Sequence, residues 1–497
     1  MAFAARNLGK LTPPGTSPER PALILRNGER REVVSYAAFD AMADAAARGL
    51  LRRDLVRGDR VGLLTANSVA SLALMCGAMR AGLVPVPVNW RFPPETIAYV
   101  LANSDARLVA HDAGRVAAVP PEVDRLELDG PAWENFLDPG PFATIEPTPG
   151  EPALFLYTSG STGRPKGVVL SHQAHLWIIE QRLAGAELGD ERFLIAAPLY
   201  HMNGLALAQL ALAAGATIVL LPVFDEGAYI RAIGEERCTW LTAVPPMFAM
   251  LLRQKDLLAR TDTSSVRSIR LGSAPVSDAL AEAILGAFPT ARLINAYGTT
   301  EAGPVVFGPH PEGKPTPRLS VGCAHPAVQL RLRGPDGTLG DEGVLEQLTP
   351  GLMNGYHARS DLKPPLTPDG WYVTGDVMRR DADGFFYVVG RTDDMFISGG
   401  ENIFPAELEA VLEQHPSVEQ AAVIPVPDDI KGTKPVAFDV PRSGAEVNED
   451  EIKAHALRRA PAYMHPRRVW ALAALPLAGT NKVDKAALLR IARAYIV

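Results

Sequence analysis

The stretch that most constrains this chain is Leu154 to His172, LFLYTSGSTGRPKGVVLSH. An apolar run from Ala153 to Tyr157 gives way to Thr, Ser, Gly, Pro and two bases, and a second apolar run, Gly167 to Leu170, follows. The pattern predicts strand, loop, strand. Gly160 and Gly163 allow positive φ, so successive N–H groups can turn into one concavity, while Thr158, Ser159, Ser161 and Thr162 add hydroxyl donors and Lys166 a cation. Such a loop suits phosphate oxygens, whereas a bare hairpin turn would need far fewer hydroxyls. It is not a Walker P-loop, because Pro165 stands where Gly-Lys-Ser/Thr would have to begin.

With 497 residues, 47% of them hydrophobic and 21% charged, the chain has ordinary globular composition and is too long for one core, so two or more domains are expected. A net charge of -7 argues against nucleic acid or any general polyanion as a partner. Cys76, Cys238 and Cys323 are far apart and show no metal-ligand spacing, which suggests buried thiols in a reducing compartment. The opening residues MAFAARNLGKLTPPG hold no sustained apolar segment, so a cytoplasmic location is expected. Leu205 to Phe224 is uncharged and about as long as a bilayer span. Gly215 nevertheless divides it into an Ala/Leu half and a β-branched half stopped by Pro222, which predicts a buried helix and a central strand, not a transmembrane segment.

Elsewhere helical and strand-like segments alternate. Ser35 to Leu55 and Asn67 to Arg80 carry helical spacing, and RVGLLT, LVPVPV, DARLVAHD, ATIVLL, CTWLTAV, SIRLGS and ARLINAYG read as strands. An α/β fold with a largely parallel sheet follows, with ligands at the carboxyl ends of strands. His201, in PLYHM, stands at such an end and either lines a channel or caps local backbone. Ser273, Ala274 and Pro275 make a small-residue turn that either admits a ligand or is simply a turn. In NAYGTTE, from Asn295 to Glu301, an aromatic face for a purine and a carboxylate suited to Mg2+ come together. Asp376, after GWYVTG, can accept both hydroxyls of a ribose, and Arg391 offers a fork for ribose or phosphate oxygens. From about residue 321 short strands and Gly/Asp turns predict a small antiparallel β subdomain. A compact α+β unit begins near Arg391 to Asp394, giving domains 1–391 and 392–497, and Lys482 lies in a polar loop before the last helix.

YTSGSTGRPKG, PLYHMNG, NAYGTTE, GWYVTGD, GRTDD, SGGENIFPAELE and TNKVDK stand in the order found in the adenylate-forming acyl- and aryl-CoA synthetases. From about Arg60 to the last helix the chain resembles that superfamily, to which fatty-acid–CoA ligases belong. The resemblance implies a large N-terminal domain of α/β subdomains with a small β-barrel-like subdomain, then a small mobile α+β C-terminal domain. It also implies ATP, Mg2+ and CoA: a carboxylate attacks the α-phosphate of ATP, and the CoA thiol then displaces AMP. Thr158 to Gly163 and Lys166 would cradle the outer phosphates. Ala296, Tyr297, Gly298 and Thr299 would hold adenine, Thr300 would contact the α-phosphate, and Glu301 would hold Mg2+. Asp376 and Arg391 would bind the ribose side, and Lys482 would bridge the acyl carboxylate and the α-phosphate.

By the same resemblance His201, Ser273, Ala274, Pro275 and Gly303 would border the acyl pocket. Asp393 would be the hinge about which the C-terminal domain turns to bring Ser398, Gly399 and Gly400 to the pantetheine of CoA. Met464 and His465 before Pro466, and Thr433 after Gly432, depart from the family's pattern where the CoA nucleotide docks. The stretches expected to line the acyl pocket, HMNGLALAQ, GSAPVS and AGPVVF, contain no cation, so an aliphatic or aromatic monocarboxylic acid is expected. Transfer to a carrier-protein thiol is the alternative to CoA. A third reading, a silent binding protein, sits badly with the presence of Lys482, Glu301 and Asp376 together. A homodimer is compatible with the sequence but not specified by it.

Overall fold

The computed structural model describes residues 5–496 apart from 159–163, 275, 399–400, 429 and 479–481. Two parallel sheets stand where the alternation predicts one. The smaller runs Val84–Pro87, Arg60–Leu64, Ala106–His111, Asp124–Glu127. The larger runs Arg292–Ala296, Ser268–Gly272, Trp240–Ala243, Arg192–Ile195, Thr217–Leu220, Pro21–Asn27, Arg30–Ser35, and only that last edge strand is antiparallel. The division has a packing cause. Helices Tyr36–Leu51, Val69–Arg80 and Met202–Ala214 bury Leu and Ala against both sheets at once, and Val69–Arg80 is buried nearly all round.

Alternation along the strands decides what each face meets. Phe193 and Ile195 point into that shared core, whereas Leu194, Val219, Leu241 and Ile269 face helices Glu226–Glu235, Pro245–Arg253 and Asp278–Ala287. The opening stretch is the hairpin expected of it: Pro152–Thr158 pairs antiparallel with Lys166–Ser171, with Thr158 opposite Lys166. Ser171 then caps helix His172–Leu183 by accepting from the Ala174 N–H at 3.1 Å. The uncharged stretch is helix Met202–Ala214, left-handed Gly215 (φ 70°) and strand Thr217–Leu220. Among the described residues no helix is long and apolar enough to cross a membrane. The three cysteines are free and buried.

Beyond residue 321 lies a five-stranded antiparallel sheet in the order Leu339–Gly340, Gln329–Arg333, Glu342–Leu348, Tyr372–Arg380, Phe386–Arg391. It is open among the described residues, so the barrel-like closure is not confirmed. One edge strand has only 2 residues against 6 on the other, too few to close the sheet. From Phe396 a short hairpin leads to a three-stranded sheet, Val418–Asp428, Gly432–Pro441 and Val469–Ala471. Helices Pro405–Leu412 and Glu449–Arg459 cover one of its faces and Lys485–Ile496 the other.

Candidate active site

The register of the larger sheet assembles the first half of the site. Gly272 pairs with Ala296, so the turns that follow Ser268–Gly272 and Arg292–Ala296 lie side by side. Ser273 sits at φ 68°, a left-handed conformation costly for a residue with a Cβ. The Tyr297–Glu301 turn doubles back tightly: Gly303 N–H reaches Thr299 O at 2.9 Å, and a Cβ on Gly298 would come within 2.7 Å of Pro304 Cα. Thr300 is half-buried in this turn.

The turn delivers Tyr297 to the antiparallel sheet, its ring edge-on to Phe307 at 5.6 Å and its phenol donating to Asp376 Oδ2. Burial, then Asp376, pushes that phenol far above its ordinary pKa, so it stays a donor. Asp376 and Arg391 are cross-strand partners, and Arg391 Nη1 donates to Asp376 Oδ1 at 2.8 Å. Arg391 Nη2 also reaches Asp393 Oδ2 at 3.2 Å. Burial raises the Asp376 carboxyl above the usual aspartate value even though Arg391 and Tyr297 oppose it.

Thr158 Oγ1, at the mouth of the hairpin, is buried and has no partner among the described residues. Ser159, Gly160, Ser161, Thr162 and Gly163 lie outside the described residues. Lys166 Nζ donates to Tyr356 OH at 2.8 Å and lies 3.3 Å from Glu301 Oε1, to which Tyr356 OH donates at 3.1 Å. No motif flagged Tyr356, yet it joins the two charged ends of the phosphate side. Among the described residues no group of three or more His, Cys, Asp or Glu could hold a metal. One carboxylate beside a phosphate loop is nevertheless the donor set Mg2+ uses, its other ligands being phosphate oxygens and water, so Glu301 fits that ion.

The C-terminal unit supplies the last cation. Ala478 N–H bonds Lys482 O at 2.7 Å and Leu477 bridges Val483, closing the turn that carries Lys482. The Lys482 side chain is exposed to water, and it is near enough to Arg391, Asp376 and Asp394 to feel their charges. Desolvation and then Arg391 hold its ammonium below the ordinary lysine value, against Asp376 and Asp394. Lys482 acts in turn on His201, whose imidazole burial and this ammonium push down to about 3, so it is neutral at pH 7. His201 precedes helix Met202–Ala214 without capping it through its side chain, and Nε2 is buried and unpartnered among the described residues. Arg253 Nε to Glu419 Oε1 (2.7 Å) joins the unit to the N-terminal region, while Lys485 Nζ to Asp394 Oδ2 (3.2 Å) lies within the unit itself. Ser398 is buried in its hairpin, and Gly399 and Gly400 lie outside the described residues.

On the acyl side, Gly303 sits at φ 72°, strained for any other residue, and a Cβ there would come within 2.3 Å of Ile178 Cδ1, which would have to shift. Ala274 is half-buried and Pro275 lies outside the described residues. The three stretches expected to line the acyl pocket hold no cation. Two other elements pack arginines against helix Met202–Ala214. Arg270 Nη1, from strand Ser268–Gly272, reaches Asn203 Oδ1 at 3.2 Å. Arg182, from helix His172–Leu183, points its Nη1 at Ala206 O at 3.5 Å. Burial lowers Arg270 to about 10, and burial together with Arg270 lowers Arg182 to about 9.

A family model described as AMP-binding enzyme matches residues 14–357, and one described as AMP-binding enzyme C-terminal domain matches residues 407–482. A feruloyl-CoA synthase from an Amycolatopsis species is 35% identical over 469 residues, 91% of this chain and 92% of its own. The sulfoacetate–CoA ligase of Cupriavidus necator is 32% identical over 492 residues, 95% of each chain. The crystal structure of ATP-bound MatB from Rhodopseudomonas palustris aligns with a TM-score of 0.87 at 28% identity, over 95% of this chain and 96% of its own. The chain belongs to the AMP-binding enzyme family and is an ATP-dependent, AMP-forming acid–CoA ligase that works through an acyl-adenylate.

Proposed function

We propose that this enzyme adenylates its acid in the cleft between His201 and the Asp376–Arg391 pair, in the arrangement seen here, with Lys482 spanning the two reactants. The placement of Lys482 carries the reading: one cation acts on the ribose-side pair and on His201 at once. A carboxylate oxygen attacks the α-phosphorus while the bond to pyrophosphate breaks, and negative charge grows where the Lys482 ammonium and the Thr300 hydroxyl can meet it. Asp376, already oriented by Tyr297 and Arg391, accepts the ribose hydroxyls. Tyr297, fixed through its phenol, offers its ring to adenine, with Ala296, Gly298 and Thr299 shaping the turn around it. Glu301 would hold Mg2+, which when bound offsets phosphate charge.

The neutral His201 borders the acyl carboxylate without adding a competing cation. For the second step we assign domains 1–391 and 392–497 with Asp393 as the hinge, which requires the Arg253–Glu419 contact between them to part. Rotation withdraws Lys482 and presents Ser398, Gly399 and Gly400 to pantetheine, whose thiol attacks the acyl carbon and releases AMP. Relatives named for feruloyl-CoA and for sulfoacetate differ in size and charge, so the pocket lining must set the acid. Three buried free thiols favour a cytoplasmic setting.

With ATP, Mg2+, CoA and a panel of carboxylic acids, pyrophosphate release should depend on the acid, with AMP and thioester formed one to one. ADP with phosphate, or thioester without AMP, would contradict the reading.

A further inference from the structure

We propose that the acid carries a second anionic group, a carboxylate or a sulfonate, at the end remote from the reacting carboxylate, and that Arg270 and Arg182 hold it against Asn203. This rests on the ligase reading above and names its substrate class. Ile269 and Leu271 face one core of the larger sheet, so Arg270 between them faces the other side, toward helix Met202–Ala214. Thr242, its cross-strand neighbour, donates to the same Asn203 Oδ1 at 3.3 Å. Asn203 Nδ2 is buried with no partner among the described residues and stands ready as a donor. Arg182 meets that helix one turn further on, at a distance too long for a strong hydrogen bond.

Among the described residues neither arginine forms an ion pair, and the two are near enough for like-charge repulsion. Arg80 shows what a structural buried arginine looks like in this same chain: Asp40, Asp44 and the carbonyl of Gly9 surround it. A guanidinium does not shed its proton, so two half-buried cations facing only neutral acceptors, Asn203 Oδ1 and Ala206 O, are costly until an anion completes the set. A forked oxyanion does so with several charge-assisted bonds. A purely apolar acyl tail would instead leave both cations unpaired against hydrocarbon. Asn203 and Ala206 lie about 3 and 8 Å along the helix axis from His201, the reach of a short acyl chain.

Succinate and glutarate are compared with their shape-matched apolar counterparts 4-methylpentanoate and 5-methylhexanoate, and 3-sulfopropanoate with 4,4-dimethylpentanoate, by kcat/KM for pyrophosphate release. The wild type should favour the anionic member of at least one pair by about ten- to a hundredfold, and the winning pair tells carboxylate from sulfonate. Arg270→Met and Arg182→Met should each collapse that ratio to near or below one. The Tm of ligand-free Arg270→Met should hold or rise, because an unpaired cation is removed. The favoured anionic acid should raise the Tm of the wild type but not of Arg270→Met. If one variant fails to fold, the other carries the test. Preference for the apolar member of every pair, or a ratio unmoved in both variants, overturns the inference while leaving the ligase reading intact. No turnover of any acid overturns both.

Discussion

The two halves of the cleft differ in how their charges are kept. On the nucleotide side every cation and carboxylate has a protein partner: Lys166 with Glu301 through Tyr356, and Arg391 with Asp376 and Asp393. On the acyl side His201 Nε2 and Asn203 Nδ2 are buried and unpartnered, and Arg182 and Arg270 are without counterions among the described residues. A self-paired site is organised before its ligand arrives and exchanges one set of partners for another. An unpaired site withholds stabilisation until the right ligand supplies the missing charge. Lys482 stands where the two meet: burial and then Arg391 hold its ammonium below the ordinary value, and its charge registers on His201.

The largest effect should come from the junction. Lys482→Ala is expected to slow acyl-adenylate formation by about 100- to 1000-fold while sparing thioester formation from supplied acyl-adenylate, and equal losses in both half-reactions would erase the division of labour. Next, Asp376→Ala breaks the paired side, leaving Arg391 and Tyr297 without their acceptor. KM for ATP should rise by about ten- to a hundredfold, with less change in KM for the acid. Asp393→Pro stiffens the segment between the units and should slow the thioester step several-fold more than adenylation, as separate half-reaction assays would show.

The pH profile sharpens the comparison further. Lys482 works as a cation, and its depressed pKa means the charge is lost at lower pH than for an ordinary lysine. The alkaline fall in kcat/KM for pyrophosphate release should therefore come early, and Lys482→Arg should move it upward. The smallest effect belongs to Arg253→Ala. Its pair with Glu419 lies on the rim, so adenylation should change by about fivefold at most.

Most of the paired side was legible in the sequence, because NAYGTTE, GWYVTGD and GRTDD place their chemistry in turns at strand ends. The structure then shows Tyr297, Asp376 and Arg391 as one hydrogen-bonded set. The unpaired side was not. Arg182 reads as a last-turn helix cation and Arg270 as one residue of an alternating strand, and only the packing of both onto helix Met202–Ala214 gives them a common target. Tyr356 had no local signal either, since its role comes from an approach between residues far apart in the chain. The split into two parallel sheets was hidden for a related reason. Periodicity shows that a helix is apolar all round, not that two sheets share it.

The arrangement itself can be tested by holding it. With Cys76, Cys238 and Cys323 buried, an Arg253→Cys, Glu419→Cys variant can be linked by a short thiol-reactive crosslinker across the contact that joins the two units. In a single turnover the linked enzyme should form acyl-adenylate and pyrophosphate at near the unlinked rate and make almost no thioester. Loss of adenylation, or thioester formed at the unlinked rate, would show that Lys482 does not do its work in this position.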